Sequence, residues 1–193
     1  MSQHDFANIF EAIPQKKLYE ERTIILSESI NSKSAKRVLE ALLSFEAQDP
    51  DKDIWLFLNS PGGEVSSGFA IYDTMRFIRP KVKIVVTGLA ASIATVILLG
   101  AAKEHRYSLP NARLLIHQPL IAGSIQGQAS DIEIHAKEII KTREKIGLLY
   151  QAETNQPLDR IKKDIERDHW MSASEALEYG LITRIVATRS EIK

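Results

Sequence analysis

Ile54-Trp-Leu-Phe-Leu58 is a short, continuously apolar run that stops at Ser60-Pro-Gly-Gly63 and is followed by a helical stripe. Such a run, without polar alternation, is what a strand covered on both faces of a parallel sheet requires. The helix after it carries Val65, Phe69, Tyr72 and Phe77 and ends at Pro80. The pattern then recurs as a strand Val82 to Val86, a break at Gly88, and an apolar helix beginning near Ser92. Upstream, Leu18 to Leu26 reads as a strand, and Ser32 to Gln48 as a helix with Val38, Leu39, Leu42 and Leu43 on one stripe. Downstream, His105 to Pro110 leads into a strand Arg113 to Ile116. A long helix follows from Ala129 to Ala152, opened by a capping box Ser130-Asp-Ile-Glu133. Its Ile132, Ile139 and Ile146, beside Ala136 and Tyr150, pack either on their own subunit or against a partner helix. Ser172-Ala-Ser-Glu175 caps a last helix, Gly180 closes it, and Leu181 to Val186 is a final strand. This alternation predicts an α/β domain with mostly parallel strands.

The chain has 193 residues, enough for one domain with a proper core and too few for two. We read residues 1–17 as an irregular N-terminal segment and 18–193 as a single domain. Lys plus Arg and Asp plus Glu are both 25, so the net charge is zero. That balance argues against nucleic acid or an anionic membrane as the main partner. The absence of cysteine removes disulfides, thiolate nucleophiles and cysteine-based metal sites. The opening residues lack a basic segment followed by an apolar one, and the apolar run Leu89 to Ala102 is too short for a membrane span. The expectation is a soluble cytoplasmic protein.

In Thr87-Gly-Leu-Ala-Ala-Ser-Ile-Ala-Thr95, small residues surround Ser92 at a strand-to-helix bend. Gly88, Ala90 and Ala91 leave room for a substrate beside the hydroxyl, and the helix start directs free N–H groups there. His117 ends the apolar strand in Leu114-Leu-Ile-His-Gln-Pro119, at the carboxyl end of a strand, where ligands of parallel sheets bind. A neutral imidazole there takes a serine proton and returns it to a leaving amine. His4, His105, His135 and His169 read as solvated. Three carboxylates are candidates for orienting the imidazole, Asp164, Glu166 and Asp168, and spacing does not choose among them. Pro61-Gly-Gly63 exposes backbone N–H groups that could serve as one oxyanion donor, with the N–H of Ile93 as a second.

Together these segments resemble the Clp protease proteolytic subunit (ClpP) family from about Leu18 to Val186. The resemblance rests on Leu58-Asn-Ser-Pro-Gly-Gly63, Gly88-Leu-Ala-Ala-Ser92, Arg106-Tyr-Ser-Leu-Pro110, Ile116-His-Gln-Pro119, the stretch Gln126 to Ala136, and Glu166-Arg-Asp168. It implies a crotonase-like α/β fold of repeated β-β-α units with a protruding handle helix at about 129–152. It further implies Ser92 as nucleophile, His117 as general base and then acid, Asp168 as the orienting carboxylate, and oxyanion donors from the backbone of Gly63 and Ile93. Two stacked seven-membered rings, of one subunit type or mixed, would enclose the sites. An AAA+ unfoldase of the ClpX, ClpA or ClpC type would feed them unfolded polypeptides. ATP would be used by that unfoldase, and this subunit would need no cofactor or metal. The resemblance makes residues 1–17 an axial gate, and Trp55, Phe57 and Phe77 the lining of the pocket that receives the unfoldase loops.

The chain departs from the family pattern at Ile93 and Ala94, where Met and then most often Gly are usual, at Leu89, where a polar residue is common, and in a longer link over Leu120 to Ile125. The expected activity is a serine endopeptidase. The alternative is a weakly active ring-forming subunit that needs a paralogous partner. A CoA-binding crotonase-type enzyme shares the fold logic, but its chemistry does not call for a serine nucleophile.

Overall fold

The computed structural model describes residues 13–120 and 127–192. A helix covers 13–20 (α1) and is followed by β1 (Thr23–Leu26), α2 (Ser32–Gln48), β2 (Ile54–Ser60), α3 (Val65–Phe77) and β3 (Val82–Ala91). Then come α4 (Ile93–Leu99), β4 (Arg106–Ser108), β5 (Arg113–Ile116), α5 (Ala129–Thr154), α6 (Leu158–Asp164), β6 (His169–Ser172), α7 (Ala173–Tyr179) and β7 (Arg184–Ile185). The seven strands form one sheet with the path β1-β2-β3-β4-β7, and β5 and β6 branch from β3. Every pairing is parallel except β5 with β6.

The core follows from the alternation in β2. Ile54, Leu56 and Leu58 are fully buried beneath α2 and α3, with Val38, Leu42, Phe45, Ile71 and Met75 packed among them. Removing side chains of this size from water contributes about 1.5–3 kcal/mol each. Trp55 and Phe57 point to the other face, where they pack with Val85, Tyr107 and Val186. Helix α4 is buried along its whole length, which explains its unbroken apolar sequence.

Several expectations need correction. The strand foreseen from Leu18 starts only at Thr23, because residues 13–20 are helical, with Lys17 beside Glu20 and Glu21 at helical spacing. Arg22 then turns inward and donates to the carbonyls of Phe45, Asp49, Lys52 and Asp53. Residues 13–17 are therefore helical, and 1–12 lie outside the described residues. Leu43 leaves the α2 stripe for solvent, and Ala35 and Phe45 take its place. Phe77 is 81% exposed at the end of α3. Gly88 does not end β3. The strand runs on to Ala91 because Asn59 Oδ1 accepts from the Leu89 N–H at 3.0 Å, and a Cβ at Gly88 would lie 2.8 Å from that oxygen.

The capping box at Ser130 does not form. Gln128 is the residue before the helix, and its carbonyl accepts from Asp131 and Ile132, so α5 starts upstream of where Ser130 could cap it. The capping box at Ser172 and Glu175 does form, and Gly180 closes α7 at φ 90°. Only Arg184–Ile185 of the last segment is strand; Leu181 and Ile182 are buried in the core without pairing. His105 is not solvated: both ring nitrogens are buried and have no hydrogen-bond partner among the described residues.

Candidate active site

The branch in the sheet builds the site. The first half of β3 pairs with β4 and its last three residues pair with β5, Ala91 opposite Leu115. Strand β5 pairs in turn with β6, Ile116 opposite His169. Ser92, His117 and Asp168 are each the residue immediately outside these pairings, so the register delivers all three to one end of the sheet. The Ser92 N–H donates to the Leu115 carbonyl at 2.9 Å, which locks the junction.

His117 Nε2 lies 2.8 Å from Ser92 Oγ, and His117 Nδ1 lies 2.9 Å from Asp168 Oδ1. An ionised carboxylate only accepts, so Nδ1 carries the proton and donates to Asp168. Nε2 is then the acceptor for the Ser92 hydroxyl. Ser92 has φ 57° and ψ −128°, a strained conformation for a residue with a side chain. Neither of the other two candidates is the partner of His117. Asp164 accepts from the Tyr179 hydroxyl at 3.0 Å, and Glu166 offers its backbone carbonyl to Gln118 Nε2 at 3.0 Å.

Gly62 has φ 90°, and a Cβ there would meet Ala91 O at 2.6 Å and Ser92 Cβ at 2.8 Å, so the loop packs directly on the serine. Ile30 bridges Gly63 in parallel fashion: it donates to the Gly62 carbonyl at 2.8 Å and accepts from the Glu64 N–H at 2.9 Å. In that pattern the N–H of Gly63 itself points away from Ile30. Ile93 opens α4, so its N–H has no acceptor within the helix. The Ile93 side chain is 2% exposed and seats on Gly68 of α3. The branched residue is thus packed mainly into the core, and it also forms part of the wall of the small recess beside Ser92.

A small recess beside Ser92 and His117 is walled by Val65, Val96, Pro119, Ile146 and Tyr150. A cleft of about 490 Å³ lies between α5 and α6; its lining includes Gln118 but not Ser92. Trp55 and Phe57 share one cluster, whereas Phe77 stands outside it at the end of α3. The link expected at 120–125 falls almost wholly outside the described residues. Sequence reasoning missed Thr95 as a partner of Ser92. The one available signal was a hydroxyl three residues into the helix, close enough to bond back to the Ser92 carbonyl.

A hydroxyl, an imidazole and a carboxylate in hydrogen-bonded series at the carboxyl end of a parallel sheet form the constellation that serine hydrolases use. The Clp protease family model matches residues 9–189, and the chain belongs to that family. It is therefore a ClpP-type chain of a serine peptidase family, and its parallel-dominated α/β sheet is consistent with that fold. Among the described residues, no helix is long and apolar enough to cross a membrane, and no three His, Cys, Asp or Glu side chains are grouped to hold a metal ion.

Proposed function

We propose that this chain is the proteolytic subunit of an ATP-dependent Clp protease, a serine endopeptidase that cleaves unfolded polypeptides. The observation that carries the reading is the continuous hydrogen-bonded line from Ser92 through His117 to Asp168. Ser92 Oγ attacks the scissile carbonyl carbon while His117 Nε2 takes its proton. The carbonyl electron pair moves to oxygen, stabilised by the N–H groups of Gly63 and Ile93. Collapse breaks the C–N bond, His117 protonates the departing amine, and the acyl group remains on Ser92. Water then repeats the sequence and frees the second product. Asp168 holds the imidazole tautomer throughout.

The assembly is part of the same proposal. Helix α5 has 26 residues, a rod of roughly 39 Å at 1.5 Å per residue. Its first half leaves Ile132, Ile134 and Ile140 exposed, which supports a handle that interleaves with a facing ring. Residues 1–17 are proposed as an axial gate and 18–193 as the peptidase domain. Trp55, Phe57 and Phe77 are proposed to receive an AAA+ unfoldase, and the particle to work in the cytoplasm with no cofactor in this subunit. The aligned triad favours a self-sufficient peptidase over a subunit active only beside a paralogue.

Hydrolysis of a fluorogenic peptide by the purified protein, with the particle mass read from the same sample, tests the reading. We expect activity in a two-ring particle, and a drop of about 10⁴-fold or more in Ser92→Ala with assembly retained. Hydrolysis surviving in that variant would remove Ser92 as nucleophile.

A further inference from the structure

Behind Ser92 a buried chain of hydroxyls connects the nucleophile to α5. Thr95 Oγ1 donates to the Ser92 carbonyl at 2.6 Å, and the Thr95 N–H donates to the same oxygen at 3.0 Å. Tyr150 OH is hydrogen-bonded to Thr95 Oγ1 across 55 residues of sequence. The single Thr95 proton is committed to Ser92, so Tyr150 is the donor in that contact. Both residues are buried, Thr95 at 0% and Tyr150 at 1% exposure.

The Ser92 carbonyl belongs to the same peptide unit as the Ile93 N–H. That unit is planar and trans, so its C=O and N–H point in opposite directions. Gripping the carbonyl from inside the protein therefore aims the Ile93 N–H outward. A neutral Tyr150 is required for the grip, and burial pushes its phenol pKa up, so the proton stays in place across the working range. Valine at position 95 or phenylalanine at position 150 would fill nearly the same space without supplying the hydroxyl.

We infer that Tyr150 and Thr95 are positioning residues that hold the Ser92–Ile93 peptide unit in the orientation in which its N–H meets the developing oxyanion. The inference rests on the functional reading above. It makes oxyanion stabilisation depend on how α5, the helix proposed to contact the facing ring, is seated on α4.

The test compares peptide hydrolysis and binding of a peptide boronate, a tetrahedral mimic, in wild type, Tyr150→Phe, Thr95→Val, Thr95→Ser and Ser92→Ala assembled particles. Tyr150→Phe keeps the ring and its packing. We expect it to lower kcat about tenfold with KM little changed, less than the 10²–10³ lost when an oxyanion donor is deleted outright. Boronate affinity should fall by a similar factor, because its tetrahedral adduct, unlike the ground state, places an oxygen against this N–H. Thr95→Val should lose more, and Thr95→Ser should recover most of that loss. Unchanged kcat and boronate affinity in both Tyr150→Phe and Thr95→Val would overturn the inference while leaving the peptidase reading intact. A loss confined to KM, or to thermal stability, would overturn it as well. Activity in Ser92→Ala, or an unreactive wild-type particle, would instead remove the reading beneath it.

Discussion

His117 Nδ1 lies 2.9 Å from Asp168 Oδ1 although 51 residues separate them. The approach is made by the antiparallel pairing of β5 with β6, the one antiparallel pairing among the described residues. Asp168 is 63% exposed at its side chain while His117 is 17% exposed. Solvent therefore screens the carboxylate, and its main contribution is to hold the ring orientation and tautomer.

From this we expect Asp168→Asn to lower kcat by about 10²–10³-fold, less than the roughly 10⁴ seen where the carboxylate is buried. KM should change little, since Asp168 touches the imidazole and not the substrate. Steady-state kinetics on a short peptide checks the split. A loss under tenfold would mean that His117 is held by its own strand.

Gly68 gives a second prediction. A Cβ at this position would lie 2.1 Å from Ile93 Cγ1, so the glycine is the seat of the residue that follows the nucleophile. Gly68→Ala should cost stability by about 1–3 kcal/mol through overpacking and disturb hydrolysis with it. Adding Ile93→Ala should restore much of both, and a double-mutant cycle measures the coupling.

Arg106 is buried at 1% exposure, donates to the carbonyls of Ala101 and Leu99, and pairs with Glu153 of α5. Glu153→Ala leaves that guanidinium without its carboxylate and should cost about 3–5 kcal/mol, as broken buried pairs do. Arg106→Met combined with Glu153→Leu should recover part of the loss. Chemical denaturation of the three proteins checks the order.

The α7 capping box carries a pH dependence. The Ser172 N–H and hydroxyl both donate to Glu175 Oε2, at 2.7 Å each, and hold its carboxyl below the ordinary glutamate value. A depressed carboxylate contributes stability that is present above the unfolded value and lost as pH falls through the folded one. Glu175→Ala should therefore melt below wild type at neutral pH, and the gap should narrow below about pH 4.5. Melting curves from pH 3 to 7 (roughly the carboxylate range) check it. A constant gap would show that the ionised carboxylate does not carry the effect.

The apolar runs in β2 and β3 and the glycines at 62 and 63 were legible from the residues alone, since they report burial, period and backbone conformation. Ser92 and His117 were legible as the ends of such runs, and the Ser172 capping box as a local pattern of four residues. These features depend on neighbours in the chain. The choice of Asp168 over Asp164 and Glu166 was not readable from spacing, because β6, His-Trp-Met-Ser, has no apolar alternation and exists through its pairing with β5.

The same limit explains the misplaced elements. Gly88 ends strands by local rule, yet Asn59, on a neighbouring strand, draws β3 onward through it. His105 looked solvated in a polar turn but has both ring nitrogens buried. Thr95 and Tyr150 looked like helix residues with no shared purpose, and only the packing of α5 against α4 joins their hydroxyls. Sequence by itself determined the strand-helix alternation and the residue types available for serine chemistry. The tertiary structure decided which of them meet, because convergence is set by strand register and helix packing between segments far apart in the chain.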